Sequence, residues 1–375
     1  MDLKALLLSS DEKIVRILRR TLGDLEISVE HCSSPEIALR YLTRERFEAI
    51  IVDCTAESTA EVLRSARSAP CNKRAVAMAI LEPGIGLRSA FDFGAHFILY
   101  KPVSPERAKS SFRAARALMK KERRRNSRAA VRIPVEMSSR ESGAKLKVNT
   151  TDLGEGGLAV SLPRRTKPQG RWQLSFTLPG SQTPVQMNAE LAWEGPGMQV
   201  GLRFIDVSRE VARQLREWLS RNLPDADRDD PPLRCQLTDL TLGACYLETG
   251  SPFPVSTRVT LSMSAAGVDA RVEGVVRVMH PDRGMGVEFA PQGPGLRTVL
   301  EKFLTVLTEN RDVLPELLVE PEGLEGEPTA ESNTNLSEQE DVLLALFRNK
   351  TDLAPDLFFA ELQKQRGLAA AGASA

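Results

Sequence analysis

An 87-residue internal repeat constrains the fold of this chain more than any other feature of its sequence. Thr151-Asp152-Leu153-Gly154 returns 87 positions later as Thr238-Asp239-Leu240-Thr241. Gly197-Met198-Gln199-Val200-Gly201-Leu202-Arg203-Phe204 returns in shortened form as Gly284-Met285-Gly286-Val287-Glu288-Phe289. Both copies have short alternating strands broken by Gly/Pro turns, followed by an amphipathic helical pattern. Val207, Val211, Leu215, Trp218 and Leu223 carry that pattern in the first copy; Leu296, Val299, Leu300, Phe303, Leu304 and Leu307 carry it in the second. The expectation is two small β-barrels, over residues 121–225 and 226–312, each with a C-terminal helix. The second copy has no clear first strand, so that strand is expected to be short or absent.

The 120 residues before the repeat read differently. Strand-like runs at Ala5–Leu8, Ala49–Val52, Val76–Ile80 and Phe97–Leu99 alternate with helical patterns such as Glu12–Leu22 and Ser34–Thr43. Such alternation predicts a doubly wound parallel sheet with helices on both faces. The last of these helices opens at Ser104-Pro105, a cap residue followed by proline at the first helical position. Its apolar face is Ala108, Phe112, Ala115 and Met119. The fold class is therefore multidomain, α/β followed by β. Beyond the second copy, residues 313–336 read as an acidic disordered linker. Residues 337–368 read as a helical hairpin tail. Ser337-Glu338-Gln339-Glu340 is a capping-box pattern ahead of Val342, Leu343, Leu346 and Phe347, and Leu357, Phe358 and Leu362 follow near Pro355–Arg366. Such a tail either folds back on the barrels or docks a protein partner.

A net charge of zero hides a strong asymmetry. Residues 101–132 hold twelve Lys/Arg against two Glu, and residues 309–341 hold eleven Asp/Glu against one Arg. The basic stretch is a candidate anion site. Aromatic content of 5% and the lack of a recognised binding motif argue against nucleic acid. No apolar run reaches the roughly 18 residues of a membrane span. Five cysteines without C-x-x-C spacing suit a reducing, cytoplasmic setting. The three histidines are isolated and no metal-ligand spacing occurs, so neither an enzyme nor a metal site is expected, and no cofactor.

Within the basic stretch, Arg123-Arg124-x-x-x-Arg128 precedes Asp152-Leu153-Gly154-Glu155-Gly156-Gly157. Guanidinium forks suit phosphate and purine edges, a carboxylate accepts from a guanine N–H pair, and glycines admit a ligand near the backbone. This pairing resembles the site of PilZ domains, receptors for cyclic di-GMP, over residues 124–223. The resemblance implies that Arg123, Arg124 and Arg128 clasp phosphates and guanine edges. It likewise implies that Asp152, Gly154 and Gly157 line the other side. One position departs: the family's serine is Gly154, a loss of one neutral hydrogen bond, about 0.5–1.5 kcal/mol. The second copy resembles the same family but lacks the arginine pair and carries Ala244 at the last glycine position, so it is expected not to bind ligand alone.

The first domain resembles response-regulator receivers. Asp53 closes the Ile50-Ile51-Val52-Asp53 strand at the family's phospho-acceptor position, and Lys101-Pro102 matches its Lys-Pro pair. The family's acidic metal pair reads Ser9-Ser10, and its switch hydroxyl aligns with Ala79. The resemblance thus implies a degenerate receiver, with Asp53 and Lys101 present but inactive. Together these readings predict a cytoplasmic effector that binds cyclic di-GMP through its first barrel, orders the arginine tether and signals through a protein partner, with homo-oligomers open. The alternative is a ligand-independent scaffold of degenerate domains.

Overall fold

The computed structural model describes residues 3–55, 57–69, 71–84, 91–139, 143–163, 170–223, 230–291, 293–309, 314–324, 341–349 and 357–364. The chain packs as two compact units. One joins Met1–Glu122 to Asp229–Ala375, and the other is Arg123–Arg228.

The first unit begins with β1 (Leu3–Leu8), α1 (Glu12–Gly23), β2 (Ile27–Cys32), α2 (Pro35–Arg44), β3 (Ala49–Asp53), α3 (Glu57–Ser68), β4 (Val76–Leu81), β5 (Phe97–Tyr100) and α4 (Pro105–Asn126). The strands form one parallel sheet in the order β2-β1-β3-β4-β5. Every residue of β3 and β4 is buried, as expected of central strands covered on both faces. Asp11 caps α1 by accepting from the amides of Lys13 and Ile14, and Ile14, Leu18 and Leu22 form its buried stripe. Ser34 caps α2 in the same way, with Pro35 in its first turn. Strand β2, absent from the expected set, is an edge strand buried only at its two ends, so its pattern carries little apolar signal.

The second unit holds β6 (Arg128–Ala129), β7 (Pro134–Ser139), β8 (Lys145–Gly154), β9 (Gly157–Ser161), β10 (Arg171–Thr177), β11 (Pro184–Glu194), β12 (Gln199–Ile205) and α5 (Arg209–Asn222). Their order is β6-β8-β7-β10-β11-β12-β9, and β9 pairs back to β8, which closes a barrel. Val135, Leu153, Leu158, Leu174 and Leu202 fill it, and Leu215, Trp218 and Leu219 of α5 join the same core.

The first unit resumes with β13 (Leu233–Arg234), β14 (Gln236–Leu240), β15 (Ala244–Glu248), β16 (Thr257–Ala265), β17 (Val268–His280), β18 (Gly284–Phe289), α6 (Pro294–Glu309), β19 (Glu316–Leu324), α7 (Val342–Asn349) and α8 (residues 357–364). Strand β19 corrects two expectations. Residues 316–324, expected as part of an acidic linker, are a strand, and the helix α6 does not end the second copy. In the first barrel, β7 lies between β8 and β10, with Met137 opposite Leu146 and Leu174. In the second sheet, β19 lies between β13 and β16, with Val319 opposite Leu233 and Leu261. Positions 233 and 261 are 146 and 174 moved by the repeat length, so β19 takes the place and the register of β7. The first strand of the second copy is supplied from the far side of its helix. Its inward residues Leu317 and Val319 are buried, and Glu316, Glu320 and Glu322 stand at the alternate positions, following the two-residue period of a strand.

The register also refines the repeat. Both copies bulge at the same point, between Thr150 and Asp152 and between Leu237 and Asp239. The second bulge of each falls between Leu191 and Trp193 and between Val276 and Val278. From the fourth barrel strand onward the offset is therefore 85 rather than 87, and Gly201 corresponds to Gly286.

The parallel sheet and the second set of strands share one apolar cluster, in which Leu7, Ile51 and Phe112 sit with Phe253, Leu261 and Val287. Polar contacts along α4 add to it. Ser110 donates to the Gly250 carbonyl (2.7 Å), Lys120 pairs with Asp230 (2.8 Å), and Glu122 accepts from the Leu324 amide (2.9 Å). The tail covers the outside of β15, β17 and β18: Leu346, Phe347 and Phe358 are buried with Ala244, Tyr246 and Val278. The expected capping box at Ser337–Glu340 lies outside the described residues; Asp341 caps α7, accepting from the amides of Leu343 and Leu344.

Candidate functional site

The basic run expected as an interdomain tether is the last turn of a helix. α4 continues through Arg123, Arg124 and Arg125. Ser127 closes it, with its amide donating to the Arg124 carbonyl (3.0 Å) and its hydroxyl to the Arg123 carbonyl (3.1 Å). No glycine or proline interrupts residues 106–126, and cations in a final turn meet the negative end of the helix dipole. The arginines thus stabilise the helix that carries them, and a disorder-to-order change at residues 123–126 has no starting point here.

Past the helix, the two halves of the motif meet. Arg128 begins β6 and pairs in register with Gly154. Its guanidinium donates to Asp152 Oδ1 at 2.6 Å, so the interval of 24 residues closes into one ion pair. Both side chains are partly exposed, 40% and 29%, and such a pair stabilises by only about 0–1 kcal/mol. Arg124 turns to α5 and donates to the Arg216 carbonyl at 3.2 Å, while Arg123 lies half-buried one residue earlier.

The two glycines have different roles. A Cβ at Gly154 would stand 3.0 Å from the Ser127 carbonyl oxygen and 3.2 Å from Arg128 Cγ, so the arginine arm rests against this residue. A Cβ at Gly157 would lie 2.2 Å from the Leu202 carbonyl oxygen. The close approach that Gly157 permits is therefore of β12 to β9, within the barrel wall. Residue 157 is buried, and a substitution there reports on folding.

Three features escape sequence reading. Trp193 sits at the β11 bulge, 43% exposed, with its indole lying over Gly201: a Cβ on Gly201 would be 2.0 Å from Trp193 Nε1. Arg203 on β12 pairs with Glu190. An open groove of about 760 Å³ also flanks β8, lined by Arg132, Lys147, Asn149 and Thr151 among others. The bulge and the paired glycine were visible as Trp193 and Gly201 in the sequence, but only the register places one over the other.

In the parallel sheet, Asp53 is buried at the end of β3 between Lys101 and Ser9. Lys101 Nζ lies 2.9 Å from Oδ1, and Ser9 Oγ donates to Oδ2 at 2.9 Å. Lys101 also reaches Glu82 at 3.0 Å. Burial pulls the Lys101 pKa down, but the hydrogen bonds its ammonium donates to the Asp53 and Glu82 carboxylates outweigh it and hold the pKa above the ordinary value. Ser9 offers Asp53 a hydroxyl and no second charge, and Asp11 is committed as the α1 cap. Among the described residues no group of three His, Cys, Asp or Glu is placed to hold a metal ion.

Residues 122–221 match the family model described as PilZ domain. No curated protein matches the sequence. Among solved structures, the receiver domain of a sensor histidine kinase from Pseudomonas aeruginosa is 20% identical, covering 32% of this chain and 98% of that chain, with a TM-score of 0.29. The chemotaxis response regulator CheY4 of Vibrio cholerae is 21% identical, covering 31% and 99%, with a TM-score of 0.29. The PilZ domain of CeSA from a cellulose-synthesizing bacterium is 20% identical, covering 25% and 94%, with a TM-score of 0.21. No described helix is long and apolar enough to cross a membrane. Residues 122–221, which hold the Arg128–Asp152 pair, are thus the part of the chain that matches the PilZ domain family.

Proposed function

We propose that this protein is a non-enzymatic, cytoplasmic effector that binds cyclic di-GMP at the first barrel, through Arg124, Arg128 and Asp152, with Arg123 beside them. The observation that carries this reading is the Arg128–Asp152 pair at 2.6 Å. It brings the phosphate-type donor and the guanine-type acceptor to one point on the barrel surface. A ligand that takes both partners replaces one weak exposed pair with charge-assisted bonds to each, roughly 1.5–3 kcal/mol apiece. Arg124 gives up a single carbonyl contact. Because these arginines end α4, the ligand would act on a helix terminus already formed, and the signal would pass by altering that terminus.

A second reading, a ligand-independent scaffold, is favoured by Gly154 and by the closed Asp53–Lys101–Ser9 cluster. Calorimetry of the full chain with cyclic di-GMP separates the two. Binding that is lost in Arg128→Ala supports the effector. No heat up to about 100 µM ligand, roughly −5.5 kcal/mol, sinks it and leaves the scaffold.

A further inference from the structure

The outer face of the second set of strands is occupied, and its occupant is the chain's own tail. Asp341 uses its carboxylate twice. Oδ1 caps α7, and Oδ2 accepts from the Thr241 hydroxyl (2.7 Å) and the Gly243 amide (3.2 Å) in the β14–β15 turn. Six residues on, Phe347 packs the tip of its ring against Gly286, where a Cβ would be 2.4 Å from Cζ. Leu344 fills the space above Gly243 in the same manner. Arg348 reaches Glu288 at 2.7 Å. Phe358 of α8 completes the cover, with ring centroids 5.4 Å from Tyr246 and 5.0 Å from His280. This apolar cluster is separate from the shared core of the unit, so it is an added layer and not part of the barrel interior.

The equivalent face of the first barrel is built to refuse such a helix. By register, Gly154 stands for Thr241, Trp193 for Val278, Gly201 for Gly286 and Arg203 for Glu288. The indole of Trp193 already covers Gly201, where the phenyl ring would sit, and Arg203 would meet Arg348 with like charge. One repeat thus carries two faces of opposite selectivity: one open and arginine-bearing, the other fitted to an apolar helix with an acidic cap.

We propose that the face formed by β15, β17, β18 and the Thr241–Ala244 turn is a docking site for an amphipathic helix, filled in cis by the tail. The helix it takes has aspartate at the N-cap, leucine two and five positions on, phenylalanine six on and arginine seven on. Only residues 325–340, sixteen residues rich in Glu, Ser and Asn, join this helix to β19, so the occupant is exchangeable for the same pattern delivered in trans. This reading does not rest on ligand binding by the first barrel.

The test uses the full chain with a protease site inserted between residues 325 and 340. After cleavage the tail fragment stays bound through gel filtration, and a labelled peptide of residues 337–368 replaces it with half-exchange at micromolar concentration. A peptide carrying Asp341→Ala and Phe347→Ala exchanges at least tenfold less well. Glu288→Arg in the chain weakens the native peptide at least tenfold, and Arg348→Glu in the peptide restores it, which separates docking from misfolding. A tail that leaves on cleavage with no rebinding, one that resists a hundredfold excess of peptide for days, or a charge swap without rescue each overturns the proposal.

Discussion

Strand β19 can be removed without touching anything before it, which makes its contribution measurable. A chain ending at residue 325 keeps β19 and loses the tail; a chain ending at residue 313 loses both. The difference contains two fully buried side chains, Leu317 at 2% exposure and Val319 at 0%. At about 1.5–3 kcal/mol for each buried aliphatic side chain, their loss removes roughly 3–6 kcal/mol. It also opens the edge of β16, where eight residues from Thr257 to Ser264 are paired with β19. An exposed strand edge invites pairing with other chains. Against a total stability of about 5–15 kcal/mol, the unit that also contains the parallel sheet should lose most of its margin, because both share one apolar cluster. Thermal unfolding followed by circular dichroism, with light scattering for aggregation, compares the two chains. The shorter one should melt roughly 6–24 °C lower, at about 2–4 °C per kcal/mol, and aggregate. Equal melting temperatures would refute the assignment of β19 as the missing barrel strand.

Two further outcomes follow from the site geometry. Gly154→Ser restores the family's hydroxyl, but its Cβ would press on the Ser127 carbonyl and on Arg128. It should lower stability by about 1 kcal/mol and leave cyclic di-GMP binding no tighter; a tenfold gain in calorimetry would show that only the hydroxyl was missing. Purified protein given a small phosphodonor and magnesium should form no hydroxylamine-sensitive adduct, because Asp53 is held by Lys101 and Ser9, Glu82 is paired with the same lysine and Asp11 is committed as a helix cap. An adduct lost in Asp53→Asn would overturn that reading.

The parts of the fold that were legible in the sequence are those where burial and period agree. The wholly buried β3 and β4 read as continuous apolar runs, and α1 and α2 showed apolar residues at helical spacing. The strand Glu316–Leu324 hid because its outward positions are Glu316, Glu320 and Glu322, and acidic composition outweighed the alternation of Leu317 and Val319. A repeat search also expects the parts of each copy in the same order, and here one part has moved past the helix. At the site, spacing alone brought Arg128 to Asp152. The direction of Arg124, the wall role of Gly157 and the Trp193 platform depend on helix continuation and strand register, which no local pattern encodes.

The displaced strand has a consequence for biosynthesis. Residues 123–228 lie wholly within one stretch of chain and can close as soon as they leave the ribosome. The other unit cannot, because the partner of β16 ends at Leu324, roughly 200 residues after α4. At about 5–20 residues per second, that is roughly 10–40 s during which part of the shared core waits for its last strand. The inserted segment is thus complete first, and the unit that flanks it in sequence is finished last.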